Sequence, residues 1–160
     1  MFFKALIKLC VVTSILLISG CATVSTFKAY EGEEKSNDQV ARITSNVKRE
    51  GFAYQRLSIT KIDEISTFDF AASLLSSPAY PTSAIVLPGR HYIGLKYEHG
   101  LMFSDSVLWF DAEAGASYLL NANVDGYGVK FWITDASTGR AVGGIPGGEP
   151  KKEKDNKLDD

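Results

Sequence analysis

Apolar and polar residues alternate with a period of two along most of the middle of this chain, the pattern of strands that bury one face. In residues 90–98, His91, Ile93, Leu95 and Tyr97 fall on one face and Arg90, Tyr92, Lys96 and Glu98 on the other. Tyr118, Leu120, Ala122 and Val124 share a face within residues 116–124, opposite Asn121 and Asn123. Residues 84–87 form a short apolar run closed by Pro88-Gly89, and residues 106–112 (SVLWFDA) are a further strand. Residues 129–135 (VKFWITD) follow Asp125-Gly126-Tyr127-Gly128, a hairpin signal. Residues 40–44 and 56–62 are predicted strands of less regular alternation, and the one helix the pattern offers lies around residues 68–75, bounded by Ser76-Ser77-Pro78 and Pro81. Short strands with turn residues between them predict an all-β fold, a single antiparallel β-sandwich-like domain over residues 39–142. Gly89 and Gly126 are expected at positive φ, where a Cβ costs about 1 kcal/mol.

The first twenty residues have a different character. Lys4 and Lys8 precede a stretch, residues 9–18, that is apolar apart from Thr13 and Ser14. This is the layout of a signal peptide, too short to span a bilayer as a mature helix. It ends in Ile18-Ser19-Gly20-Cys21, which resembles the lipobox of bacterial lipoprotein precursors: an aliphatic residue, a small residue, Gly or Ala, then Cys. The resemblance implies that the Cys21 thiol is diacylglycerylated, that the signal is cleaved before it, and that the new amino group is acylated by a fatty acid such as palmitate. Two or three acyl chains hold a protein lastingly where one holds it only marginally. Ala22 follows the cysteine where Asp would direct retention, so the resemblance implies sorting to the outer membrane, facing the periplasm.

Removing the signal leaves residues 21–160, with 15 Lys and Arg against 19 Asp and Glu. A mildly acidic body without a basic patch is not a nucleic-acid binder. Cys10 and Cys21 are the only cysteines, one in the signal and one destined for lipid, so stability has to come from a packed core rather than a disulfide. Residues 21–38 are polar and charged with scattered aromatics, a composition expected of a lipidated tether. Residues 143–160 (GGIPGGEPKKEKDNKLDD) carry little apolar surface and are predicted to be a disordered tail, so truncation after Val142 is expected to leave thermal stability nearly unchanged.

Leu87-Pro88-Gly89-x-His91-x-Ile93, Ala114-Gly115-x-x-Tyr118-x-Leu120, and Asp135 with Thr138-Gly139 together resemble small bacterial lipoproteins and, more distantly, PEGA-type β domains, over residues 84–142. The resemblance implies an extracytoplasmic β module and carries no catalytic residue.

Residue chemistry adds few candidates. Asn121-x-Asn123-x-Asp125-Gly126 matches the opening of a calcium loop, but Trp132 stands where the twelfth, acidic ligand belongs, and a hairpin is the better reading. His91 and His99 are eight residues apart on one strand, about 26 Å at the usual rise, too far to share a metal. Asp111 and Glu113 are expected to be solvated charges at a strand end, and no G-x-S-x-G elbow or phosphate-cradling loop is present. No cofactor or metal is expected, and the chain is not expected to be an enzyme.

Aromatic residues give the stronger lead. Trp109, Phe110, Tyr118, Tyr127, Phe131 and Trp132 crowd the last strands, and alternation keeps them from all facing one core. If Phe131 is core, Trp132 points outward with Lys130. Trp132, Lys130 and Tyr127 are therefore the candidate contacts for an envelope protein or a glycan. The sequence thus points to a lipid-anchored, non-catalytic binding or envelope-structure module. A glycan- or peptidoglycan-contact module is the first alternative and an envelope hydrolase the second.

Overall fold

The computed structural model describes residues 26–47, 55–74 and 79–148. The predicted signal peptide, Cys21 and the end of the tail from residue 149 lie outside the described residues. Within them the elements run β1 (Thr26–Lys28), β2 (Ala41–Ser45), β3 (Gln55–Ile62), β4 (Ile65–Ser66), α1 (Phe70–Leu74), β5 (Ser83–Val86), β6 (Gly89–His99), β7 (Met102–Ala112), β8 (Ser117–Asp125), β9 (Gly128–Asp135) and β10 (Ala141–Val142). A six-stranded sheet is ordered β1-β5-β2-β8-β9-β10 and a four-stranded sheet β4-β3-β6-β7. The fold is all-β and mostly antiparallel. β1 with β5 and β2 with β8 pair in parallel, long-range pairings that no local turn announces.

Alternation builds the layer between the sheets. Ile93, Leu95 and Tyr97 of β6 and Leu108 and Phe110 of β7 are buried against Ile43, Val86, Tyr118, Leu120 and Ile133 of the larger sheet. Phe110 meets Tyr118 edge to face, ring centroids 4.8 Å apart. β3 is irregular for a physical reason: its register with β6 shifts between Ile59 and Lys61, so Ile59 and Ile62 both reach the core although they are three positions apart. The helix has five described residues, none buried, and is started by Asp69 Oδ1 accepting the Ala72 amide at 2.9 Å; its predicted end at residues 75–78 lies outside the described residues.

Pro88-Gly89 is the corner at which the chain leaves the larger sheet after Val86 and enters the smaller one at Gly89, whose φ is 133°. A clasp fixes this corner. Asp63, itself at φ 51°, donates its amide to the Tyr92 carbonyl at 2.7 Å and accepts the Tyr92 amide on Oδ1 at 2.8 Å. Its Oδ2 lies 2.7 Å from His91 Nδ1, while His91 Nε2 lies 2.7 Å from the Leu87 carbonyl oxygen. Both ring nitrogens of His91 are thus satisfied within the corner. Gly126 has φ 60°, and Asp125 pairs with Gly128 across a two-residue loop.

Both ends of the body extend past the limits that composition suggests. Residues 26–38, assigned above to a tether, begin with a strand: β1 pairs with β5, Phe27 packs on the core, and the Ala29 amide donates to the Ile85 carbonyl at 2.9 Å. The start of the tail is also docked. Trp109 and Gly144 exchange backbone hydrogen bonds of 2.8 and 2.9 Å, and the Trp109 indole donates to the Ile145 carbonyl at 3.1 Å. Gly143 is required there, since its φ is 72° and a Cβ would stand 1.8 Å from the Trp109 carbonyl oxygen. Composition misses this docking because it is made by backbone groups and one large side chain supplied from β7.

Two outcomes follow for stability, both read by thermal or denaturant unfolding. Gly143→Ala is expected to destabilise the domain by about 2 kcal/mol or more, because neither φ nor space accommodates it. Truncation after Val142 is expected to cost about 2 kcal/mol through the lost backbone pair and indole bond, whereas truncation after Gly148 leaves stability unchanged.

Candidate functional site

β9 presents Val129, Phe131 and Ile133 to the core and Lys130, Trp132 and Thr134 to the outside of the larger sheet. Ile133 is fully buried and Phe131 packs on its edge of the core, while Trp132 is half-buried and is the more exposed of the two tryptophans. Antiparallel register sets Trp132 beside Asn121 and Lys130 beside Asn123. Asn121 is held firmly. Its Nδ2 donates to the Leu119 carbonyl at 3.0 Å and to Thr134 Oγ1 at 3.1 Å, and its Oδ1 accepts from Asn46 Nδ2 at 3.0 Å. The result is an indole on a sheet face, flanked by the oriented Asn121 amide and, one pair along, the exposed Asn123 and Lys130. Such a surface can stack on the apolar face of a sugar ring or receive a partner's side chain, with hydrogen-bonding groups at its rim.

The described residues between 63 and 82 are bonded to β3 and β6 of the other sheet and to the β2–β5 side, away from this face. β4 pairs with β3, Thr67 Oγ1 donates to the Ile59 carbonyl, the Ile59 amide donates to the Pro81 carbonyl at 2.8 Å, and Arg56 Nη2 donates to the Tyr80 carbonyl at 2.6 Å. Tyr127 does not join Trp132 and Lys130. It sits in the β8–β9 turn, fully exposed, at the end of the sandwich beside Leu101, Met102 and Phe103.

Of the titratable candidates, His91 and Asp111 are engaged through their side chains and Glu113 through its backbone. Asp111 accepts a bidentate pair from Arg90, at 2.9 Å from Nε and 2.7 Å from Nη2, and the same guanidinium lies 4.7 Å from the Trp109 ring centroid. That stack and the docked Gly144–Ile145 segment explain how Trp109, on the outer side of β7, comes to be buried. Glu113 donates its amide to the Tyr118 hydroxyl at 3.0 Å, and burial pushes the Tyr118 pKa up against the opposing effect of that bond. His91 and His99 stand at opposite ends of the unbroken β6. Among the described residues no group of three or more His, Cys, Asp or Glu side chains is placed to hold a metal.

No protein-family model, curated protein or solved structure matches the chain. The surface therefore stands on its own chemistry.

The strand carrying Trp132 ends at Asp135, whose Oδ1 accepts from the Ser137 hydroxyl at 2.6 Å, the Ser137 amide at 2.9 Å and the Thr138 amide at 2.8 Å. These bonds, the Ser137 hydroxyl first, hold its carboxyl below the ordinary value of 3.8. The unfolded chain lacks them, so their contribution is complete above that value and is lost as pH falls through the lower folded value. Asp135→Asn is accordingly expected to lower the melting temperature near neutral pH, and the gap to the parent protein is expected to close as pH is taken below about 4. Melting curves across that range check it.

Proposed function

We propose that this protein is a lipid-anchored module of the bacterial cell envelope, held through Cys21 at the outer membrane with its β domain in the periplasm, and that it works by non-catalytic binding. The lipobox-like Ile18-Ser19-Gly20-Cys21 behind a charged and apolar leader supports the anchor. The observation that carries the binding role is the outward Trp132 beside the clamped Asn121. An indole left on a sheet face, next to an amide fixed by three hydrogen bonds, is a prepared contact, because little side-chain freedom remains to be lost on binding. The engagement of the His91 imidazole and the Asp111 carboxylate in corner and strand contacts supports a non-catalytic role.

A glycan, peptidoglycan included, is the second reading for the occupant of this face. The combination of Trp132 with Asn121, Asn123 and Lys130 favours it, since sugars pair an apolar ring face with equatorial hydroxyls.

Cys21→Ser is expected to abolish metabolic labelling by a fatty acid and to leave an unprocessed precursor; normal labelling of that variant contradicts the anchor. Trp132→Ala is expected to weaken retention on peptidoglycan or on crosslinked envelope partners at least tenfold with little change in melting temperature. Phe131→Ala is expected to cost about 2 kcal/mol of stability, being partly buried on the core edge. If Trp132→Ala unfolds the domain as badly as Phe131→Ala, Trp132 is a packing residue and the binding role fails.

A further inference from the structure

Two hairpin turns of this domain share an unusual composition. His99 pairs with Met102 and Asp125 with Gly128, so each loop has two residues, Gly100-Leu101 and Gly126-Tyr127. Both glycines have φ 60°, and neither Leu101 nor Tyr127 has positive φ, the arrangement of type II′ turns. The second position of such a turn throws its side chain into the surroundings and is ordinarily polar. Here it holds Leu101 and Tyr127, at 102% and 112% relative exposure, and the adjoining Met102 and Phe103 are each 69% exposed. Both tips border one cavity of about 480 Å³ at the same end of the sandwich, so the apolar residues form one patch. A patch of large apolar side chains on protruding tips marks an interaction site.

The start of the described chain identifies what lies against it. Thr26 is level with Ser83, Ser83 with Thr44, and Thr44 with Leu119. β8 runs from Leu119 toward the Gly126 tip, β2 runs with it, and β5 and β1 run against it, so Thr26 is the tip-side residue of β1. The tip stands seven positions beyond Leu119, about 23 Å at the usual strand rise. Cys21 stands five positions before Thr26, a span of at most about 18 Å when fully extended. With the tips turned toward the bilayer, an anchor this short brings them to its surface or below it.

We infer that the domain stands end-on against the phospholipid bilayer that holds its anchor, with Leu101, Met102, Phe103 and Tyr127 in the interfacial layer. Tyr127 brings an apolar ring and a polar tip, the combination suited to that depth, and the flanking His99 and Asp125 confine the tips to the headgroup region. The orientation points the far end, with the Asp135–Arg140 turn, away from the membrane. This inference rests on the lipid anchor at Cys21 proposed above.

The mature chain has no cysteine other than Cys21, so a single new thiol labels cleanly. Nitroxide is attached to Leu101→Cys, Tyr127→Cys and, as a far-end control, Thr138→Cys in the full lipidated protein, reconstituted into phosphatidylethanolamine–phosphatidylglycerol vesicles. All three sites are exposed, and unchanged melting curves verify that the variants fold. Electron paramagnetic resonance with oxygen and an aqueous relaxant is expected to show the oxygen-to-aqueous accessibility ratio rising at least threefold at 101 and 127 and staying unchanged at 138. Equal aqueous accessibility at all three sites overturns the docking, as does dipolar coupling between labels at the tips, which would mean that a second copy covers them. Detergent-phase partitioning separates the two claims. A chain that stays in the aqueous phase overturns the anchor and the docking together, and one that partitions but keeps both tips aqueous overturns the docking alone.

Discussion

The apolar layer between the two sheets is the constraint on which the rest of this domain depends, because the body has no covalent cross-link to substitute for it. Cys10 and Cys21 both precede the first strand. Stability therefore comes from alternate side chains of β3, β6 and β7 meeting those of β2, β5, β8 and β9, with Phe110 against Tyr118 near its centre. That layer dictates what remains for function. Once Val129, Phe131 and Ile133 are committed to it, Lys130, Trp132 and Thr134 have only the outer face to occupy.

The regular strands were legible from alternation alone. β6 shows Ile93, Leu95 and Tyr97 buried in step, and the β8–β9 hairpin turns at Gly126 as its turn chemistry indicates. Long-range features were not legible. The parallel pairings of β1 with β5 and β2 with β8 join segments that no turn connects, and β1 itself is only three residues, placed by backbone bonds to β5 and the single apolar Phe27. The bulge in β3 broke the period that alternation relies on. The docking of Gly143 to Ile145 depends on Trp109, thirty-odd positions earlier, and so reads as tail by composition and as body in space.

The same division holds at the candidate site. Strand parity placed Trp132 and Lys130 together on one outer face, and they are together. Parity ends where a strand ends, so it had nothing to say about Tyr127, which belongs with Leu101, Met102 and Phe103 at the tip of the sandwich. Asn121 carried a signal only as part of a defective calcium loop. Its actual work, clamped by Asn46 and Thr134 beside the indole, requires strands from two separate parts of the chain. A consistent polarity follows: one end of the domain has the start of β1 and the apolar tips, while the indole face lies along the side of the larger sheet.

The proposed lipidation of Cys21 is tested most directly by the intact mass of the mature protein extracted from membranes. The anchor predicts a chain that begins at Cys21 and exceeds the mass of residues 21–160 by a diacylglyceryl group and an amide-linked acyl chain. A mature chain that begins at another residue, or that carries Cys21 as a free thiol, would contradict it.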